Sequence, residues 1–83
     1  MRIDSNTELQ ELFDIAKETV NELETGEEFI VKDLFRGFEW NRIQKGYRTK
    51  LGSVFLMFSQ YEGKSIVKAL DKTPQNQQKY IKL

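Results

Sequence analysis

An amphipathic stretch, a second helical stretch with basic first turns and a closing pair of strand-like runs follow one another along 83 residues. That order predicts an α+β fold with the layout of a winged helix-turn-helix. In it, the third helix enters a groove and the hairpin serves as the wing. Residues 1–83 then read as a single winged-helix-like domain, with an acidic N-terminal helix over 5–25 and a basic part over 32–83. A chain this short makes one domain at most, and its ten aromatics and 39% apolar residues are enough for one core.

Ser5 opens the first element. Ser5-Asn6-Thr7-Glu8 fits a capping box, in which Ser5 accepts from the Glu8 N–H and the Glu8 carboxylate reaches back. Leu9, Leu12, Phe13, Ala16, Val20 and Leu23 recur at threes and fours, one stripe of a helix, and Gly26 closes it. The opposite face carries Glu11, Asp14, Glu18 and Glu22. Phe29, Ile30 and Val31 are β-formers in a run too short for a helix, so 28–31 reads as a short strand. Asp33 then opens a helix of one or two turns bearing Leu34 and Phe35, stopped by Gly37. Between Gly37 and Gly46, Phe38, Trp40 and Ile43 are anchors of either a loop or an irregular helical turn, with Trp40 as a core plug.

Tyr47, Leu51, Val54, Phe55 and Phe58 place the next helix at about 46–61. Arg48, Thr49, Lys50 and Ser53 fall in its first two turns. Basic charge there opposes the helix macrodipole and suits an N-terminus facing phosphate. Gly52 sits mid-helix, where glycine costs about 1 kcal/mol against alanine. Another helix or a ligand is therefore expected to approach the backbone at Gly52. After the Gly63 turn, Ile66 and Val67 mark a strand; Asp71, Pro74 and Asn76 supply turn chemistry; Tyr80 and Ile81 alternate in a last strand. The expected pairing is 65–70 with 77–82 around 71–76, and Leu12, Phe13, Phe35, Leu51 and Phe55 are expected to be buried together.

The net charge of zero hides a division. Residues 1–31 hold nine acids and two bases, a net of −7, while residues 32–83 hold four acids and eleven bases, a net of +7. Such asymmetry points to a polar partner. Cysteine and histidine are absent, which removes disulfides, thiolate metal sites and the usual bases and nucleophiles. The chain is accordingly not expected to be an enzyme or to hold a cofactor or metal. The longest apolar run is Val54-Phe55-Leu56-Met57-Phe58, and the first ten residues lack the apolar segment of a signal peptide. A cytoplasmic location, away from membranes, is expected.

Three segments together resemble a family of small bacterial and phage proteins, domain of unknown function 1413. They are Gly26, Glu27 and Phe29 with Lys32 to Phe35; then Trp40, Ile43, Gly46, Arg48, Leu51, Gly52 and Phe55; then Lys72, Thr73, Asn76, Gln77 and Tyr80. The resemblance covers about 26–80 and leaves the first helix outside. It implies a recurrent small domain and supplies no catalytic residue; some relatives are labelled single-stranded DNA-binding.

The layout and the basic half point to DNA binding, duplex over single strand, by a small regulator of phage type. Arg42, Lys45, Arg48 and Lys50 would meet phosphates, and Arg48, Thr49 or Ser53 would reach bases. On the wing, Lys72, Gln75, Asn76, Gln77 and Lys79 would contact the backbone or the minor groove. One small domain makes few contacts, so a homodimer through the first helix fits this reading. The alternative is a protein-interaction module or small inhibitor that engages a protein partner through Glu11, Asp14, Glu18 and Glu22. Single-strand binding would need exposed aromatics in a basic groove, for which Tyr47, Tyr61 and Tyr80 are the candidates.

Overall fold

Leu12, Ala16 and Val20, spaced by four, are the buried stripe of α1 (Leu9–Val20) in the computed structural model, which describes residues 3–83. The helix is shorter than the predicted 5–25 at both ends. Ser5 does not cap it. Thr7 Oγ1 accepts from the Asp4 N–H at 2.9 Å and the Asp4 carboxylate accepts from the Asn6 N–H at 2.8 Å. These local bonds fold the segment into a turn ahead of the helix, leaving Glu8 as the N-cap. At the far end the N–H groups of Glu22 and Leu23 reach Thr19 and Val20 carbonyls three residues back, at 2.9 and 3.1 Å, which winds the helix into tight turns. Gly26 lies beyond them. It takes φ +94° in the turn that follows, and its N–H donates to the Lys82 carbonyl at 2.8 Å.

That turn leads into β1 (Glu28–Ile30), which is followed by a 3₁₀ turn over Val31–Leu34. The Asp33 carboxylate accepts from the Ile30 N–H at 3.0 Å and so pins the start of that turn. The short α-helix expected after Asp33 is thus a 3₁₀ turn. Gly37 stops nothing; it opens α2 (Gly37–Arg42), the segment for which loop and helical turn both fitted. The Glu39 side chain on α2 is fully buried and accepts from Arg36 Nε at 2.7 Å.

After α2 come α3 (Lys45–Gln60), β2 (Val67–Lys72) and β3 (Gln78–Lys82). The expected hairpin forms, two residues later at its start, with a register irregularity between Ala69 and Lys72. Its tip is built as the turn chemistry suggests: the Thr73 carbonyl accepts from the Asn76 N–H at 2.8 Å, and Asn76 takes φ +64°. β1 joins the hairpin as a third antiparallel strand, in the order β1-β3-β2, with Phe29 opposite Tyr80.

The core lies between α1, α3 and this sheet. Phe55 is its centre, with ring centroids 5.0 Å from Tyr80, 5.5 Å from Phe58 and 6.2 Å from Phe29. Of the five residues expected inside, Leu12, Phe35, Leu51 and Phe55 are buried. Phe13 sits at the edge, edge-on to Phe58 at 5.8 Å, with the Lys17 ammonium 4.5 Å from its ring centroid. Ile3 joins the core from the other side.

The chain leaves α3 through a turn held by a 2.6 Å bond from the Gly63 N–H to the Phe58 carbonyl. A Cβ built on Gly63 would fall 2.8 Å from Phe58 Cδ2, with other ring carbons nearer still. Gly63→Ala is therefore expected to cost about 1–3 kcal/mol through overpacking, read as a lower urea midpoint at unchanged slope.

Candidate functional site

A cleft of about 440 Å³ opens between α3 and the hairpin. Arg48, Thr49, Gly52, Ser53 and Leu56 line its α3 side, positions that recur at threes and fours and so share one helix face. Lys72, Gln77 and Gln78 form the hairpin side. Ile30, Val31 and Lys32 approach from β1 and the 3₁₀ turn, Trp40 from α2 and Tyr80 from the central strand. Among the described residues that line it are three cations, Lys32, Arg48 and Lys72, and no carboxylate.

Arg48 is half-buried and held in place. Its guanidinium lies 5.6 Å from the Trp40 ring centroid, Nη2 donates to the Asn41 carbonyl at 3.3 Å, and the buried Nε–H has no hydrogen-bond partner. Tyr80 is 0% exposed and its hydroxyl likewise has none. Burial pushes this phenol up to about 12, so it is neutral and able to donate throughout the physiological range. Gly52 faces open space: a Cβ there would meet nothing within 4 Å. The second helix expected to pack on Gly52 is absent among the described residues, and the glycine leaves the cleft wide instead. The Thr49 and Ser53 hydroxyls bond back to carbonyls one turn earlier, both at 3.4 Å.

Of the predicted nucleic-acid contacts, Arg48, Thr49, Ser53, Lys72 and Gln77 come together in this cleft. Lys45 and Lys50 are exposed on α3 outside it, with the Lys50 ammonium 5.9 Å from the Tyr47 ring centroid. Gln75 and Asn76 are exposed at the hairpin tip. Arg42 is turned elsewhere: Nη1 donates to the Ile3 carbonyl at 2.9 Å and the guanidinium lies 5.0 Å from the Phe38 ring centroid. Lys79 is paired with Glu28 at 2.9 Å, because strand alternation sends it away from the side that Gln78 and Tyr80 line. Lys32, Trp40 and Gln78 were not anticipated here, and Tyr80, a candidate for an exposed ring in a basic groove, lines the cleft but is buried. Only Gly52 carried a signal of its own, an unexplained glycine inside a helix.

The acidic residues Glu11, Asp14, Glu18 and Glu22 are all exposed, the first three on α1 and Glu22 in the turn after it. Asp14 lies 3.7 Å from Lys17. A second, mostly apolar groove lies between α1 and the end of α3, lined by Phe13, Val54, Met57, Phe58, Tyr61 and Glu62, of which Met57 and Tyr61 are exposed apolar residues. No group of three His, Cys, Asp or Glu residues able to hold a metal occurs among the described residues, and no helix among them is long and apolar enough to cross a membrane.

Over the described residues these features define a small α+β domain, three α-helices on a three-stranded antiparallel sheet, with a cationic cleft between α3 and the hairpin. The chain belongs to the family described as Domain of unknown function (DUF1413), whose model matches residues 14–82 and so takes in most of α1 as well. No curated protein and no solved structure matches the chain.

Proposed function

We propose that this domain binds nucleic acid, DNA foremost, as a winged helix with α3 as the groove-entering helix and the β2–β3 hairpin as the wing. The observation that carries the reading is the cleft, where cations from three separate elements meet with no carboxylate among its described lining residues. An acid-free convergence of Lys and Arg is the electrostatic footprint of a phosphate-binding surface. The order helix, strand, helix, helix, hairpin, with β1 paired to the last strand, supports the winged-helix layout. Lys45, one turn before Thr49 on α3, and Gln75 and Asn76 at the tip add phosphate contacts beside the cleft, while Lys50, about 200° around the helix from Arg48, is a flanking contact. On this reading the domain is a binding module and not an enzyme.

Two variants separate its parts. Arg48→Ala is expected to weaken DNA binding by about 1–3 kcal/mol and to relax sequence preference, since a guanidinium makes planar bidentate contacts. Lys72→Ala is expected to weaken all sequences alike and to reduce the salt dependence by about one ion. Lys79→Ala, whose ammonium already has Glu28, is the comparison and should change affinity least. Unchanged affinity in both cleft variants, with circular dichroism like the parent's, would remove DNA from the cleft.

A second reading, a protein-interaction module or homodimer, rests on the apolar groove beside the exposed acidic face of α1. It takes precedence if no nucleic acid binds.

A further inference from the structure

We propose that the cleft between α3 and the hairpin is a receptacle for one unstacked nucleotide, with the base inside and the phosphate at the rim. The inference rests on the nucleic-acid reading and adds what the cleft itself recognises. A surface that only follows a phosphate backbone needs cations at the rim and nothing deeper. This cleft is open to solvent but encloses about 440 Å³, within the roughly 300–1,000 Å³ typical of small-ligand sites.

Its interior has two kinds of surface. Ile30, Val31 and Leu56 supply apolar wall, and Gly52 exposes bare helix where any other residue would project a side chain into the opening. A flat ring can slide along such a wall. Beside it, the Arg48 guanidinium is fixed over Trp40, and guanidinium planes stack on bases. Deeper, the Tyr80 hydroxyl is buried without a hydrogen-bond partner, and so is Arg48 Nε–H. Buried polar groups are nearly always satisfied, so two orphans at one cleft mark the places where a ligand's polar atoms would bond. The Tyr80 hydroxyl can donate or accept, which suits the mixed edge of a nucleobase, while Arg48 Nε–H, lying in the plane that stacks on the base, donates to a sugar or phosphate oxygen. At the mouth, Lys32 and Lys72 are exposed ammoniums with no carboxylate among the described lining residues, which suits the phosphate. An apolar flat body, a polar edge and an anionic end are together the chemistry of a nucleotide.

That nucleotide can come from an unpaired position in a strand or from solution. The test uses the full chain and three probes: a fully paired duplex, the same duplex with one unpaired nucleotide, and adenosine monophosphate. Affinity is measured by fluorescence anisotropy for the duplexes and by NMR shift mapping for the mononucleotide. The bulged duplex is expected to bind about tenfold more tightly than the paired one, the order of magnitude of one base stacked on a protein platform. Gly52→Leu, which fills the opening while favouring the helix, should bring that ratio close to one. Tyr80→Phe, which removes only the hydroxyl, should lower the ratio by several-fold, whereas Lys72→Ala should weaken both duplexes and preserve it.

A paired duplex that binds as well as the bulged one, with a ratio indifferent to Gly52→Leu, overturns the proposal and leaves the DNA reading standing. Mononucleotide shifts at Gly52 and Tyr80 without affinity for either duplex sustain the cleft as a site for a free nucleotide and overturn the DNA reading. Binding of none of the three probes overturns both.

Discussion

Phe55→Ala is expected to cost about 3–5 kcal/mol of folding stability. The ring is 0% exposed and touches Phe29 from β1, Tyr80 from β3 and Phe58 from its own helix. Removing it deletes apolar contacts to three elements at once and leaves a cavity walled by rigid aromatics. Such walls collapse poorly, which puts the cost at the upper end of the usual range. A domain of this size holds only about 4–12 kcal/mol in total, so the variant should be close to unfolding at room temperature. Urea titration followed by circular dichroism reads the effect directly. A loss below about 1 kcal/mol would mean that α3 does not present this face to the sheet.

Raising the pH from 9 to 12 is expected to remove about 2–3 kcal/mol through Tyr80 alone. Burial lifts its folded pKa from the ordinary 10 to about 12. Above pH 10 the unfolded chain releases the phenolic proton while the folded chain retains it. The unfolded state then binds fewer protons, so stability falls with rising pH. The contribution is complete below about pH 10 and is lost progressively as the pH climbs to about 12. Lysine deprotonation adds its own slope, so the measurement is a difference: denaturant midpoints of the parent and Tyr80→Phe across this range. The parent should lose more than the variant. Equal losses would mean that the hydroxyl is solvated.

What could be read from the residues alone was what is local. The α1 and α3 stripes are periodic, and each places its buried residues within a few positions of one another. The hairpin tip was legible because Pro74 and Asn76 have intrinsic backbone preferences that need no partner. Helix ends were less so: Ser5 and Glu8 matched a capping box, but Asp4 and Thr7 offered competing side-chain bonds one residue earlier and won. Nothing in Glu28-Phe29-Ile30 names a strand some fifty residues away, so the pairing of β1 with β3 was invisible, and with it the approach of Lys32 to the hairpin. Glu39 was hidden in the same way, since a carboxylate between Phe38 and Trp40 reads as solvent-facing until α2 turns it inward. The candidate contacts divided along the same line. Arg48, Thr49 and Ser53 share a helix face that spacing alone defines. Lys72 and Lys79 were read together as flanks of one tip, although Lys79 adjoins Tyr80 in a strand and must face the other way.

On the proposed function, the cleft between α3 and the hairpin meets phosphate. The most direct measurement is a titration of the chain with duplex DNA, single-stranded DNA and RNA of one sequence at two salt concentrations. Duplex DNA is expected to bind, with an affinity that falls with salt at a log–log slope of about −3 to −5, as Lys32, Arg48 and Lys72 of the cleft and Lys45 and Lys50 beside it release counterions. Affinity for none of the three at the lower salt, or affinity indifferent to salt, would contradict it.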